Sequence, residues 1–367
     1  MLHSLNSFLA RSETFIYNYL TALQGIDCAV VATSRENIEE FPFADVRIIS
    51  APDALMSSGG LKSGIFQLMT GKTIRQHRIG QAIEEFAPNV LHAHFGPNGY
   101  DLIDLKVKYR LPLVTTFYGY DMSSLPKQKR WVKKYAKLFE HGDLFLVEGP
   151  CMKQKLEELG APAQKVHIQR IAVHTHKYPK WKPVAAGASI LFVGRFVEKK
   201  GLVFALEAVL RLKHQIGDVK FFIIGSGPLS DQISQFISDH KMGSYVSLLG
   251  PKSHSEVLQA MTVSNVLIHP SIYAADGDSE GGAPTILLEA QAIGIPIVST
   301  YHADIPYVLP EGTGVYLCNE RDIDSLVVAL RSALEDGRPV SSNHIITYHD
   351  VAVEARRLMD HYYGLVS

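Results

Sequence analysis

The sequence predicts an α/β protein made of two Rossmann-like domains, each with a parallel sheet, that face each other across a cleft. Short apolar runs bounded by turn residues alternate with longer amphipathic stretches, which is the pattern of parallel βαβ units. This series occurs twice, on either side of residues 171–186, where Pro179 and Pro183 precede a tail of small residues. The length of 367 residues also exceeds the usual size of one hydrophobic core. Because ligands of such domains bind at the carboxyl ends of the strands, the cleft is the expected site.

The first series covers the N-terminal half of the chain. Apolar runs predict strands at residues 28–33, 47–50, 90–94, 113–117 and 144–148. Amphipathic stretches predict helices at residues 14–23, 73–85, 100–109, 127–141 and 151–159. Residues 51–71 are rich in Ser, Gly and Met, which indicates an irregular or mobile loop.

The second series begins near residue 189. It predicts strands at residues 190–193, 220–224, 246–249, 266–269, 297–299 and 314–317. It predicts helices at residues 202–215, 229–240, 254–262, 284–293 and 323–335, with a last helix at 351–363. We therefore expect an N-terminal domain over residues 1–172 and a C-terminal domain over 173–345. Residues 346–367 are expected to form a helix that packs back on the N-terminal domain.

Composition narrows the class of protein. The 36 basic and 37 acidic residues give a net charge of −1, which provides no reason to expect nucleic-acid binding. Cys28, Cys151 and Cys318 lack metal-ligand spacing, so we expect buried free thiols in a reducing cytoplasm. The N-terminus lacks the pattern of a signal peptide, and no apolar run approaches the roughly 18 residues of a membrane span. A cytoplasmic protein is expected, with peripheral contact to a membrane left open.

The segment FVGRFVEKKG, residues 192–201, follows an apolar strand and leads into a helix. Gly194 permits a sharp exit from the strand. Arg195 and Lys200 are placed to meet one anion near the helix start, which predicts a clamp for a diphosphate. The alternative is a solvated loop whose charges pair at the surface.

A second strand-to-turn segment, FFIIGSGPL, covers residues 221–229. Gly225 and Gly227 would let the backbone approach a ligand closely. A purely structural turn explains them equally well. The segment lacks the full GxGxxG pattern, so it does not favour a nicotinamide cofactor.

The third segment, DGDSEGGAPTILLE, covers residues 276–289. Pro284 suits the first turn of a helix, and the glycines before it free backbone N–H groups to face a phosphate or a sugar. Glu280 and Glu289 can accept hydrogen bonds from sugar hydroxyls. Asp276 and Asp278 suggest a metal site, but two carboxylates in a loop equally describe a solvated turn.

In the first half, two strands end in polar residues that are expected to face the cleft. His92 and His94 are spaced to point the same way from a strand, which raises the idea of a metal pair. No third ligand is evident, so no metal is predicted. His94, Tyr118 and Asp121 are the better candidates for a role in chemistry.

Taken together, these segments resemble the retaining glycosyltransferase family 4, which has the GT-B fold of two Rossmann-like domains. The resemblance covers essentially the whole chain, including the segments SETFI at 12–16 and HAHFG at 92–96. Within the family it is most similar to bacterial exopolysaccharide enzymes of the colanic-acid type. The resemblance implies transfer of a sugar from a nucleotide-sugar donor, UDP- or GDP-linked, to a saccharide or polyprenyl-diphosphate-linked acceptor.

The resemblance also implies roles for individual residues. Arg195 and Lys200 would hold the donor diphosphate, and Glu289 would bind the ribose hydroxyls. Glu280, with the backbone of Gly281 and Gly282, would hold the donor sugar. No metal and no cofactor would be needed beyond the nucleotide-sugar co-substrate. The candidate donor site comprises Gly194, Arg195, Lys200, Gly225, Gly227, Glu280, Gly281, Gly282, Ala283, Pro284, Thr285 and Glu289, and the candidate catalytic residues are His94, Tyr118, Asp121 and Glu280.

Two positions depart from the family pattern. Glu289 follows Glu280 by nine positions instead of eight, an extra residue that the glycines can absorb as a bulge. Tyr118 stands where the family often has a histidine that contacts the donor sugar. A tyrosine can donate a hydrogen bond there, but it does not carry a proton near neutral pH as imidazole does.

Other functions on the same fold stay open at this stage. They are a sugar phosphorylase, a nucleotide-sugar epimerase and a non-catalytic protein that binds nucleotide sugars. The acceptor is expected at residues 12–15 and 51–71 of the N-terminal domain. The basic helix at 127–141, which contains Trp131, suggests contact with anionic lipid, although a solvated charged helix has the same composition.

Overall fold

The computed structural model describes residues 1–9, 13–49, 73–183 and 187–366. The predicted irregular loop at 51–71 lies outside these ranges. The chain divides into two compact units. Unit 1 contains Met1–Glu148, Lys153–Ala172 and Val351–Ser367, and unit 2 contains Gly149–Met152 and Val173–Asp350.

Unit 1 is built on a seven-stranded parallel sheet with the strand order β5-β3-β1-β6-β7-β8-β9. Its strands are β1 Leu2–Ser4, β2 Ser7–Phe8, β3 Ala29–Ala32, β4 Ser34–Arg35, β5 Val46–Ile48, β6 Leu91–His94, β7 Leu113–Thr116, β8 Leu144–Val147 and β9 Val166–Ile168, of which β2 and β4 form a separate pair. Its helices are α1 Thr14–Ala22, α2 Ile74–Phe86, α3 Gly96–Tyr109, α4 Tyr120–Ser123, α5 Lys129–His141, α6 Pro150–Glu158, whose first turn belongs to unit 2, and the last helix of the chain, Val351–Val366.

One interior strand of this sheet, β1, was not predicted. β1 pairs with β3 on one side and with β6 on the other, and His3 stands opposite His92 in the register. With only three residues, two of them polar, the strand gives no alternating or apolar pattern. Its position in the sheet follows from burial, since Leu2, His3 and Ser4 are each 1% exposed.

Unit 2 is built on a six-stranded parallel sheet with the order β12-β11-β10-β13-β14-β15. Its strands are β10 Ala188–Val193, β11 Val219–Ile224, β12 Val246–Gly250, β13 Val266–His269, β14 Ile297–Thr300 and β15 Val315–Cys318. Its helices are α7 Leu202–Ile216, α8 Ser230–Asp239, α9 His254–Thr262, α10 Thr285–Ile293, α11 Ile305–Val308, α12 Ile323–Asp336 and α13 Asn343–His349, and the last helix of the chain is therefore α14. The predicted fold class, two parallel-sheet α/β domains, is confirmed.

The core of unit 2 explains why the sheet forms. Phe192 and Phe221 on neighbouring strands are fully buried, and they pack in one apolar cluster with Leu206 of α7 and Leu330 of α12. Strands that are apolar on both faces are typical of a parallel sheet covered by helices. This packing fixes the carboxyl ends of β10, β11, β13, β14 and β15 along one edge.

Two expectations from composition concern the cysteines and membrane-spanning helices. All three cysteines are free, as predicted; Cys28 and Cys318 are buried, whereas Cys151 is only half-buried at the start of α6. Within the described ranges, none of the helices combines the length and the apolar character that a bilayer span requires.

Candidate active site

The glycine turns after β10 and β11 pack directly against each other. Gly225 has a φ of +137°, and a Cβ atom there would lie 1.9 Å from the carbonyl oxygen of Gly194. A Cβ atom on Gly227 would meet the backbone nitrogen of Phe196 at 2.7 Å. Any side chain at these positions would push the turns apart. The packing alone accounts for Gly225 and Gly227, and their contact with a ligand stays a prediction.

The short turn after β10 holds a neighbouring loop. Oε1 of Glu198 accepts the N–H of Ala275 at 2.9 Å. Nζ of Lys199 donates to the carbonyl oxygen of Ser279 at 2.8 Å and pairs with Asp278 at 3.0 Å. Lys199 is only 7% exposed. The alternative of a solvated charged loop is therefore wrong for this part of the segment.

These contacts also use the two aspartates that suggested a metal site. Oδ1 of Asp276 accepts the N–H of Asp278 at 2.8 Å, and Oδ1 of Asp278 accepts the N–H of Ser279 at 2.9 Å. The other oxygen of Asp278 faces Lys199. Both carboxylates therefore stabilise the conformation of the loop through these contacts.

Glu280 is bound on both carboxylate oxygens. Nζ of Lys200 lies 2.8 Å from Oε2, and the hydroxyl of Ser271 donates to Oε1 at 3.0 Å. Burial by itself would raise the pKa of this carboxyl, but the charge and hydrogen bond of Lys200, together with His269 and Lys199, outweigh it and lower the pKa to about 2. Glu280 is therefore an oriented, ionised acceptor with a cation beside it.

Gly281 directly follows Glu280 in the loop that the sequence analysis expected to absorb the extra residue. Gly281 has a φ of +83°, a left-handed conformation that only glycine adopts without steric cost. Helix α10 begins at Thr285. Pro284 is therefore the N-cap residue, whereas the sequence analysis placed it in the first turn of the helix. The reason is its extended ψ of 131°, although its carbonyl still accepts the N–H of Leu287. Gly282 and Ala283, which precede it, are buried.

Glu289 lies on α10 and is 7% exposed. Its Oε1 is 2.9 Å from Nε2 of His254, a residue that the sequence analysis did not single out. His254 is the first residue of α9 and lies between Ser253 and Glu256, which form a capping box. The capping-box pattern indicates where helix α9 begins, but it does not indicate that His254 contacts α10.

Arg195 differs from Lys200 in its surroundings. It is exposed at the carboxyl end of β10. In the part of the chain that the structure describes, its guanidinium makes no hydrogen bond and no ion pair. Among the described residues, the proposed clamp thus combines one cation without a side-chain partner and one that is already paired to a carboxylate.

In unit 1, His94 and Tyr118 are in direct contact. His94 ends β6 and Tyr118 follows β7, and Nδ1 of His94 lies 2.8 Å from the Tyr118 hydroxyl. Burial lowers the pKa of His94 to about 3, so its imidazole is neutral near pH 7. A neutral imidazole can accept the tyrosine proton or donate to the tyrosine oxygen.

Asp121 is fully buried and holds the turns around this pair. Its two oxygens accept the N–H of Gly96 at 2.8 Å and the N–H of Tyr118 at 2.9 Å. Burial raises the pKa of its carboxyl to about 6, although both hydrogen bonds favour the ionised form. The geometry supports a role in positioning Tyr118, and a direct chemical role for Asp121 stays a prediction.

His3 is the third member of a buried histidine cluster with His92 and His94. Its Nδ1 lies 3.1 Å from Nε2 of His94. Both nitrogens of His92 are hydrogen-bonded to hydroxyls, at 2.5 Å to Tyr362 and 2.7 Å to Thr116. The three rings border a cavity of about 20 Å³, room for roughly one water molecule. The cluster is therefore organised as a hydrogen-bonded network, and the two-residue spacing in the sequence could not reveal His3.

The candidate residues thus fall into two groups. His94, Tyr118 and Asp121 lie together in unit 1, and the donor candidates lie in unit 2. Two families of domain match the same division. Residues 12–177 match the family Glycosyltransferase Family 4, and residues 179–350 match the family Glycosyl transferases group 1.

Two relatives are assigned as the colanic acid biosynthesis glycosyltransferase WcaL. The Salmonella typhimurium protein is 33% identical over 359 residues, which is 89% of this chain and 88% of the relative. The Escherichia coli protein is 34% identical over 256 residues, 68% of this chain. That alignment spans 63% of the relative's own length.

A solved structure shows the same fold. Anabaena HepE in complex with UDP-glucose superimposes with a TM-score of 0.80, covers 99% of both chains and is 14% identical. The two parallel-sheet units are those of the GT-B fold. With matching domains in both halves and a relative one third identical along nearly the whole length, the chain belongs to glycosyltransferase family 4.

Proposed function

We propose that the protein transfers a sugar from a UDP- or GDP-sugar to a saccharide or polyprenyl-diphosphate-linked acceptor, in the biosynthesis of a cell-surface polysaccharide. The observation that carries the proposal is the Lys200–Glu280 ion pair, which is oriented and largely buried and whose lysine belongs to the same turn segment as the exposed cation Arg195. The names of the colanic acid relatives support the polysaccharide, and the UDP-glucose bound to HepE supports the donor class.

Cationic and anionic side chains would bind different parts of the donor. Arg195 and Lys200 would bind the diphosphate, whose negative charge attracts both cations. Glu289 would accept hydrogen bonds from the ribose hydroxyls, and Glu280 from the hydroxyls of the sugar. The backbone of Gly281 and Gly282 would complete the sugar site. The positive charges of Arg195 and Lys200 would neutralise the leaving diphosphate, which a bound divalent metal could otherwise do. For this reason we propose transfer without a metal.

Transfer is proposed to retain the configuration of the anomeric carbon. The bond from that carbon to the diphosphate oxygen breaks, and the bond to the acceptor oxygen forms on the same face. The acceptor proton passes to the departing diphosphate, so atoms and charge balance. Tyr118, hydrogen-bonded to neutral His94, is proposed to take the role of the histidine that the family often has at this position.

The acceptor is proposed to reach the protein at the inner face of the cell membrane. Helix α5 carries five basic residues before its last turn, Lys129, Arg130, Lys133, Lys134 and Lys137. Lys134 lies over the rings of Trp131 and Tyr100, at 4.5 Å and 4.8 Å. Basic side chains next to interfacial aromatics favour contact with anionic lipid.

A thermal-shift screen tests the proposal. UDP-, GDP- and ADP-sugars are added to the wild type, to Arg195→Ala and to Arg211→Ala, which removes an exposed arginine of α7 that is ion-paired to Glu207 and Asp324. At a hundredfold excess over Kd, the right donor should raise Tm by roughly 5–10 °C. We expect this shift in the wild type and in Arg211→Ala but not in Arg195→Ala. Absence of a shift with every nucleotide sugar would contradict the proposal.

A further inference from the structure

We propose that His302 and Glu320 form a positioning pair that fixes the backbone of Glu280. The inference rests on the proposed function only for the role given to Glu280. The three residues follow three neighbouring strands of unit 2, with Glu280 beyond β13, His302 beyond β14 and Glu320 beyond β15. The carboxyl ends of adjacent parallel strands bring them to one edge of the sheet.

The contacts of His302 determine its tautomer. Its Nε2 lies 3.3 Å from the backbone nitrogen of Glu280, which can only donate. Nε2 must therefore accept, and the single proton of the neutral ring sits on Nδ1. Nδ1 in turn lies 2.7 Å from Oε1 of Glu320, an acceptor. The carboxylate thus selects the tautomer that receives the N–H of Glu280.

Glu320 is itself held in place. Its Oε2 accepts the N–H of Tyr273 at 2.9 Å and lies 3.4 Å from Nη1 of Arg321. The ring of Tyr273 packs edge-on against His302, with 4.5 Å between the ring centroids. The His302 side chain is completely buried. Neither member of the pair can turn away without breaking several contacts.

Both the side chain and the backbone of Glu280 are consequently held by hydrogen bonds. Lys200 and Ser271 bind its carboxylate, and His302 binds its backbone N–H. The backbone contact matters because Gly281, the next residue, is conformationally permissive and gives the loop freedom. Preorganised acceptors lose effectiveness when their supports loosen by even 1 Å.

Two substitutions of His302 separate its two hydrogen bonds. The side-chain amide of Asn overlays Nδ1 of histidine, so His302→Asn keeps a donor for Glu320 and loses the acceptor for Glu280. The longer Gln overlays Nε2, so His302→Gln keeps an acceptor for Glu280 and loses the link to Glu320. A role confined to filling space would make the two variants alike.

Hydrogen–deuterium exchange of the backbone around Glu280 tests the inference without any substrate. We expect the amide of Glu280 to exchange about tenfold faster in His302→Asn than in His302→Gln, as the loss of one hydrogen bond predicts. The exposed neighbour Tyr301→Phe should match the wild type. Equal exchange in the Asn and Gln variants would overturn the inference.

Glu320→Gln provides a second variant at a less buried position. Its amide cannot accept both from His302 and from Tyr273, so the backbone amide of Glu280 should again exchange faster.

In a kinetic experiment, His302→Asn and Glu320→Gln should lower kcat about tenfold to a hundredfold with a small change in donor KM. If the wild type transfers no sugar, the proposed function fails, and the exchange result still decides the inference. Unchanged exchange in Glu320→Gln would contradict it.

Discussion

Lys200 and Glu280 neutralise each other, with 2.8 Å between Nζ and Oε2 and side chains only 15% and 5% exposed. The cation assigned to the donor diphosphate is thus bonded to the carboxylate assigned to the donor sugar. A diphosphate would share or take over Lys200, which couples recognition of the two parts of the donor.

Lys200→Met should destabilise unit 2 by about 3 kcal/mol, because it leaves Glu280 buried without its partner charge. Urea unfolding at pH 7 measures the effect. Lys220→Met, at an exposed strand position, serves as the control.

The double variant Lys200→Met/Glu280→Gln removes both charges and should recover most of the lost stability. It should not recover donor binding. A double variant no more stable than Lys200→Met would show that the two side chains act independently.

The depressed pKa of Glu280 predicts a dependence of stability on acid. Because the folded pKa of about 2 lies below the ordinary value of 4.5, the pair stabilises the protein above pH 4.5. This contribution is lost as the pH falls from 4.5 toward 2. The free energy of unfolding of the wild type should decline more steeply in that window than that of Glu280→Gln, and parallel curves would contradict the assignment.

The histidine cluster predicts a second loss of stability in acid, at a higher pH. Burial lowers the pKa of His3 well below 6.5, so the unfolded chain binds a proton there that the folded chain does not. Its stabilising effect is present above pH 6.5 and is lost as the pH falls below that value. His3→Asn should reduce the slope of unfolding free energy between pH 6 and pH 4 by about 1.4 kcal/mol per pH unit. An unchanged slope would mean that His3 is protonated in the folded protein.

The turn at Gly225 predicts a steric effect. Gly225→Ala would place a Cβ atom 1.9 Å from the carbonyl of Gly194, at a φ of +137°. We expect a loss of about 3 kcal/mol or more in thermal unfolding. Gly243→Ala meets no atom within 4 Å and should change stability by less than about 0.5 kcal/mol. Similar melting of the two variants would rule out the close packing of the turns.

Local patterns were enough to predict most of the fold. Apolar runs marked the long strands of unit 2, and β13 was predicted with its observed bounds. β1 was missed because three residues with two polar side chains show no period. Helix α3 begins at Gly96, four residues before the predicted start, because Gly-Pro-Asn-Gly favours a turn unless a helix is imposed by packing.

Candidate site residues could be named from the sequence where chemistry and spacing coincide, as for Lys200 and Glu289, and their roles stay predictions. It was not predictable where partners come from distant segments. His254 reaches Glu289 from another helix, and His3 reaches His94 from a neighbouring strand. Such contacts depend on strand order, which no local pattern encodes.

Calorimetric titration of UDP and GDP into the wild type and Lys200→Met tests the central claim most directly. We predict that the wild type binds one of the two nucleotides at one equivalent. In Lys200→Met the affinity should fall at least tenfold, since a charge-assisted contact to the diphosphate is lost. Binding of neither nucleotide by the wild type, or equal affinity in Lys200→Met, would contradict the assignment of this site to a nucleotide-sugar donor.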